Sequence, residues 1–192
     1  VLAYGFGQME GRELITSQTL AQYQLNEDHL AEIVRAVAGG SGNLSDIYPL
    51  SPLQEGLLFH GLLNEKQDTY ILSVLFELAS REQVPALAAA LQRVVDRHEI
   101  LRSAILWQQL PQALHVVHRR ATLPVSEFAL DADRDLSAQL RELTKPLRCA
   151  LRLDRAPLLQ LEVAPHPHGP GCFAVLRVHH VACDHQSLRT IV

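Results

Sequence analysis

A chain of 192 residues, 47% of them hydrophobic and 20% charged, can bury one substantial core, and its length allows one domain or at most two. Its net charge of −4 and the lack of any Lys/Arg run exclude a phosphate-tracking surface for nucleic acid, since Arg119-Arg120 is only a pair. Cys149, Cys172 and Cys183 have no CxxC spacing and fit a reducing cytoplasm; with no apolar run of about 18 residues and no signal-peptide pattern, a soluble cytoplasmic protein without a membrane partner is expected.

Leu30, Ile33, Val34 and Val37 carry the spacing of a short amphipathic helix over Leu25 to Val37, with Asn26 as its cap. Gly39-Gly40-Ser41-Gly42-Asn43 then reads as a flexible break. Ser51-Pro52-Leu53-Gln54 writes a helix start, a Ser cap with Pro at the first helical position and Gln reaching back, for a helix to about Asn64. Tyr70 to Leu78 reads as a strand. Ser80-Arg81-Glu82-Gln83 repeats the capping pattern before a helix from Val84 to about Glu99, whose Leu87, Leu91, Val94 and Val95 share one face.

Shorter strands are expected over Ser103 to Trp107, Leu114 to His118 and Val125 to Phe128, followed by a helix from Asp135 to about Thr144 with Pro146 near its end. Strands at Leu158 to Ala164 and Cys172 to His179 flank a turn, Pro165-His166-Pro167-His168-Gly169-Pro170, whose histidines read as loop residues and not as a metal site. The mixture predicts an α/β sandwich with helices laid over a sheet.

The segment Val178-His179-His180-Val181-Ala182-Cys183-Asp184-His185 follows the last of these strands. An imidazole titrates near neutral pH and can take or position the proton of an amine or alcohol nucleophile, and a nearby carboxylate can fix a ring or pair with a cation. Neighbouring strand residues point to opposite faces, so only one of His179 and His180 can face a given cavity. A His-His pair alone is weak evidence in a chain with ten histidines.

Four stretches taken together are more specific. Residues 179 to 185 resemble the HHxxxDG signature of nonribosomal peptide synthetase condensation domains. Asp46-Ile47-Tyr48-Pro49-Leu50-Ser51-Pro52-Leu53-Gln54-Glu55-Gly56-Leu57-Leu58-Phe59-His60 resembles the opening motif of these domains. Arg97-His98-Glu99-Ile100-Leu101-Arg102-Ser103 resembles their RHxxLR segment, and Ala156-Pro157-Leu158-Leu159 their approach to the strand before the histidines. All four occur in the family's order, and the resemblance runs from about Asn43 to Val192.

The resemblance implies a chloramphenicol acetyltransferase-like fold, in which two lobes form a V around the active site. Residues 1–45 are then a lead-in linker with a short amphipathic helix, and 46–192 an N-terminal lobe whose C-terminal counterpart is absent from this sequence. It implies peptide bond formation, in which the amine of an aminoacyl group on a downstream carrier protein attacks the acyl or peptidyl thioester on an upstream one. No cofactor is bound directly; both substrates arrive on the phosphopantetheine arms of peptidyl carrier proteins, and adjacent synthetase domains are the further partners. His180 matches the family's catalytic second histidine, with His179 and Asp184 completing the motif. Asp184 is expected to hold the loop through an ion pair, with Arg102 as candidate partner.

Two departures stand out. His185 replaces the signature's Gly, so any backbone conformation reserved for Gly is expected to be strained or unavailable, and substrate room is reduced. His60-Gly61-Leu62-Leu63-Asn64-Glu65-Lys66-Gln67-Asp68 resembles the HHxxxxxGD motif of dual condensation/epimerisation domains, retaining His60 and Asp68 but with Gly61 and Gln67 replacing the second His and the Gly. The entry segment, from Leu14 to Leu20 through the NLSDIYPLSPLQEG run, also resembles that subgroup, which implies dual-type ancestry with a degraded epimerisation motif. Alternatives are a non-catalytic gatekeeping domain that docks carrier proteins and a coenzyme A-dependent acyltransferase of the same superfamily. The DIYPLSPLQEG run favours the synthetase reading over both.

Overall fold

A computed structural model describes residues 15–63, 69–145 and 151–191. Near its start lie two short helices, α1 (Ser17–Gln22) and α2 (Glu27–Ala36). Asn26 caps α2 reciprocally: its side chain accepts from His29 N at 2.8 Å while its own N–H donates to His29 Nδ1 at 3.2 Å. Glu27 and Asp28 in the first turn and Arg35 in the last complement the helix dipole.

The glycine-rich stretch is an ordered 3₁₀ turn over Gly40–Asn43, not a flexible break. Gly39 (φ 90°) and Gly40 (φ 64°) occupy the left-handed region that side chains resist. Asn43 then ties the turn to distant chain, its amide donating to Ala38 O at 2.7 Å and Arg120 O at 3.0 Å.

Beyond the turn come β1 (Leu44–Pro49), α3 (Pro52–Leu63), β2 (Ile71–Leu78) and α4 (Val84–Arg97). β3 (Ser103–Leu106), β4 (Leu114–His118), β5 (Val125–Glu127) and α5 (Leu136–Leu143) follow. β6 (Leu159–Pro165), β7 (Cys172–His179) and α6 (His185–Ile191) close the described chain. Sequence patterning anticipates most of these elements but not α1, β1 or α6.

The mixed α/β architecture is built on two sheets. One is antiparallel in the order β1-β4-β3; the other runs β2-β7-β6-β5 and is antiparallel except for the parallel β5-β6 pair. The larger sheet lays Leu161, Val163, Ala174, Leu176 and Val178 against Leu91 and Val95 of α4, which forms the main core. On the smaller sheet, Ile47, Leu114 and Val116 face Ile33 and Val37. Residues 27–37 are therefore packed as one wall of a core, Ile33 being wholly buried. A third cluster, Leu50, Leu58, Ile105, Leu158 and Val181, joins α3 to both sheets.

The opposite face of the smaller sheet carries polar side chains inward. His115 is fully buried, 3.0 Å from Ser103 Oγ and in ring contact with Tyr48 at 4.9 Å. Ser103 spends its hydroxyl proton on Ile100 O at 2.8 Å, so its oxygen accepts from His115 Nδ1–H, and the bare Nε2 lone pair is left without a partner. Burial pushes the His115 pKa down to about 4 from 6.5 and lowers that of His118 as well.

Between those values the unfolded chain binds a proton that the folded chain refuses, so stability falls as pH drops from 6.5 toward 4. The His115 contribution alone approaches about 3 kcal/mol at the lower end. Urea denaturation at neutral pH and near pH 4.5 should register this loss in the wild type and a shallower one in His115→Phe, with His118 accounting for part of the remaining slope. Equal slopes for the two proteins would rule out His115 as the source.

Candidate functional site

His179 is the last residue of β7, and a main-chain relay fixes its height. Its N–H donates to Leu158 O at 3.1 Å, and Leu158 N–H donates in turn to Leu101 O at 3.0 Å. Three of the four motif stretches thus meet through backbone hydrogen bonds. His179 itself is buried, and its Nδ1 accepts from Val181 N–H at 3.1 Å, which shapes the turn that follows.

His180 lies just past the strand, its N–H bound to Tyr70 O at 2.8 Å, and Ala182 N–H closes the turn onto His179 O at 3.0 Å. The His180 ring is only partly buried. Its neighbour packs inward while it stands at the open end of the sheet, where an imidazole can meet a bound amine.

Gln54 holds the far side of this turn. Its Oε1 accepts from Ser51 N–H at 2.9 Å, completing the cap of α3, while Nε2 donates to Val181 O at 2.9 Å. Sequence reasoning finds the cap but not the second bond, which spans 127 positions and has no local signature. Beneath it, Val181 packs with Leu50, Leu58 and Leu158.

Asp184 and Arg102 are not paired. Asp184 is exposed and accepts from Ser187 N–H at 2.7 Å, capping α6. That bond, with a smaller contribution from the His180 charge, holds its carboxyl below the usual range. Arg102 instead donates to His118 O and, at 3.2 Å, to Glu99 one turn back. Its guanidinium is committed to the turn after α4 and to β4. Nor does His185 strain the backbone: as the first residue of α6 it is outside the left-handed region, which among described non-glycine residues holds only Gln24 and Gln109. Its ring lies against His180, centroids 5.4 Å apart and planes at 81°. Cys183, between these groups, has its thiol pushed up to about 11, first by burial and then by Asp184, so it stays protonated and is no nucleophile.

The condensation-domain family profile matches residues 44–192. The chain belongs to the condensation-domain family of nonribosomal peptide synthetases. It is 39% identical over 178 residues to malpinin synthetase of Mortierella alpina, a stretch covering 92% of this chain and 2% of that protein. To malpibaldin synthetase of the same organism it is 36% identical over 175 residues, covering 91% of this chain and 3% of the relative. The starter condensation domain of rhizomide synthetase shares the fold, with a TM-score of 0.60 at 18% identity over 77% of this chain and 37% of that one.

In this condensation-domain chain His60 sits in the last turn of α3, exposed, its ring 6.5 Å from that of Tyr70, the residue whose carbonyl holds His180. The stretch expected to resemble the dual-domain motif therefore begins beside the histidine turn, while its Gln67 and Asp68 lie outside the described residues. Two crevices, of about 320 and 750 Å³, lie elsewhere, one beneath α5 and the other between α2 and β3. The first is lined by Glu162 and Arg177, whose ion pair (Nε to Oε2, 2.8 Å), with the guanidinium buried and the carboxylate half-buried, sequence patterning does not flag. Among described residues no cluster of His, Cys, Asp or Glu suits a metal, His166 packing on Phe173 and accepting from His168 N–H. No described helix is long and apolar enough to cross a membrane.

The Gln54 clamp gives a direct test. Gln54→Leu removes both bonds and leaves the Val181 carbonyl without its donor, which should lower stability by about 1–3 kcal/mol. In a synthetase module carrying this chain it should also slow product formation, whereas the exposed Arg93→Gln should alter neither. Chemical denaturation and turnover of the two variants measure the difference, and a Gln54→Leu protein matching wild type in both would dismiss the clamp.

Proposed function

We propose that this chain supplies the histidine-bearing lobe of a domain that forms peptide bonds between two carrier-bound substrates. The observation that carries the reading is His180: a partly buried imidazole at the open end of β7 whose backbone is fixed by Tyr70 O. An acyl or peptidyl group arrives as a thioester on the phosphopantetheine arm of an upstream carrier. The amine of an aminoacyl group on a downstream carrier attacks its carbonyl, forming the C–N bond and expelling the thiol.

A thioester is already activated, so the demand is to align two tethered reactants and to manage charge at the nitrogen and the tetrahedral oxygen. His180 takes or orients the proton of the attacking amine. His179 and Asp184 act by holding the turn, His179 through Val181 N–H and Asp184 by capping α6. Residues 46–192 form the N-terminal lobe and 1–45 lead into it. The apolar face left by Leu53, Phe59 and Leu63, which are 60–74% exposed on α3 beside His60, supports a covering lobe or domain at this edge.

In a full module with loaded carriers, His180→Ala should cut condensation by roughly a hundredfold or more while leaving the melting temperature unchanged. His179→Ala should instead destabilise the fold by about 2 kcal/mol, through the lost Val181 bond and the cavity beneath it. Intact-mass measurement of the two carriers reads the transfer, and a loss below about tenfold for His180→Ala would count against the role.

Stereochemistry follows from the degraded motif. Inverting an α-carbon requires a base to remove its proton and return one to the other face, and Gly61 offers no base where the subgroup has His. The domain is expected to condense an L-configured donor without inversion. Running the reaction in deuterated buffer should leave the donor α-carbon unlabelled; deuterium there together with a D residue, both lost in His60→Ala, would show that His60 still epimerises.

A further inference from the structure

The backbone bonds of the turn leave the orientation of the His180 ring open. Its backbone is pinned, but no hydrogen bond reaches either ring nitrogen from a described residue. Asp184 spends an oxygen on Ser187 N–H at 2.7 Å and makes no hydrogen bond to His180. One described ring touches His180, that of His185, at 5.4 Å and 81°. That is an edge-to-face aromatic arrangement within the favoured range of separation.

We propose that His185 is a positioning residue for the condensation reaction, its ring holding the His180 imidazole in the orientation that meets the attacking amine. The inference rests on the functional reading above. His185 suits the task because it opens α6, whose start is tied down by the Asp184 cap, so its Cα is fixed relative to the turn that carries His180. The ring itself is exposed and buries little, so its removal spares the core. Half of the orienting device is thus the residue that stands where the family signature has only a hydrogen on Cα.

An aromatic edge-to-face contact biases a rotamer by roughly two- to tenfold beyond what burial gives. Without it His180 samples other rotamers and the productive fraction falls by that factor. Substrate binding is untouched, since both substrates are gripped through their carriers. The signature is a fall in kcat with KM for either carrier unchanged, and recovery when any aromatic ring is returned.

The test uses a complete synthetase module carrying this chain, with donor and acceptor carriers loaded, and compares wild type with His185→Ala, His185→Phe, His185→Leu and His180→Ala. His185→Ala and His185→Leu should lower kcat roughly two- to tenfold at constant KM and melting temperature, and His185→Phe should restore at least half of the loss. Wild-type kcat in His185→Ala, or equal rates for the Phe and Leu variants, would overturn the positioning role while leaving the catalytic reading of His180 standing. A wild-type module that forms no product, or an unimpaired His180→Ala, overturns the functional reading and this inference with it.

Discussion

Everything at the histidine turn depends on where β7 ends, and that is decided by hydrogen bonds made by the backbone on both sides of it. β7 runs between β2 and β6, so the main chain at positions 179 and 180 is claimed by Leu158 on one side and Tyr70 on the other. An interior strand held from both edges cannot fray one residue at a time as an edge strand can. A residue placed one position beyond such a strand has its backbone fixed by it while its ring stays outside the sheet. The next turn is then closed by side chains that are themselves anchored elsewhere, Gln54 by the α3 cap and His179 by burial.

This arrangement explains why short motifs scattered over more than a hundred positions accompany one another. The opening run contributes Gln54 and the floor residues Leu50 and Leu58, the RHxxLR stretch contributes the Leu101 carbonyl, and the approach to β6 contributes both main-chain groups of Leu158. Each fixes one coordinate of the turn that carries His180.

How much of this the sequence discloses depends on the range of the interaction concerned. The helices α2 and α3 announce themselves by Asn26 and Ser51, since a cap and its partner lie within three positions; Ser80 caps the 3₁₀ turn Arg81–Gln83 that leads into α4, and Asp135, the expected first residue of α5, is its cap. β7 and β4 show as apolar runs because they are buried on both faces. β1 stays hidden: Asp46, Tyr48 and Pro49 break its pattern, and it exists because β4 pairs with it. Similarly, six residues of α1 and seven of α6 are too few to show a period. At the site, the histidine pair and its placement at a strand end are legible, whereas Arg102 and Asp184 are not partners, because each finds a nearer group: Glu99 and the His118 carbonyl for one, Ser187 N–H for the other. The glycine-rich stretch misleads for a related reason. Glycine signals freedom in the unfolded chain, but here Asn43 converts it into a fixed turn.

The buried guanidinium of Arg177 adds a constraint of another kind. It lies opposite Ser73 in β2 and Gln160 in β6, with Ser73 Oγ on Nη1 at 3.2 Å and Glu162 on Nε at 2.8 Å. Slipping β7 by one residue against either neighbour would turn that charge onto the apolar face against α4 and leave Glu162 without its partner. Apolar side chains such as Val175, Leu176 and Val178 discriminate weakly between alternative registers, because each fits its neighbour's place almost as well. A single charge does not. Arg177 therefore acts as an index mark on the strand, and since His180 follows it by three positions, the same mark sets which histidine emerges at the open end.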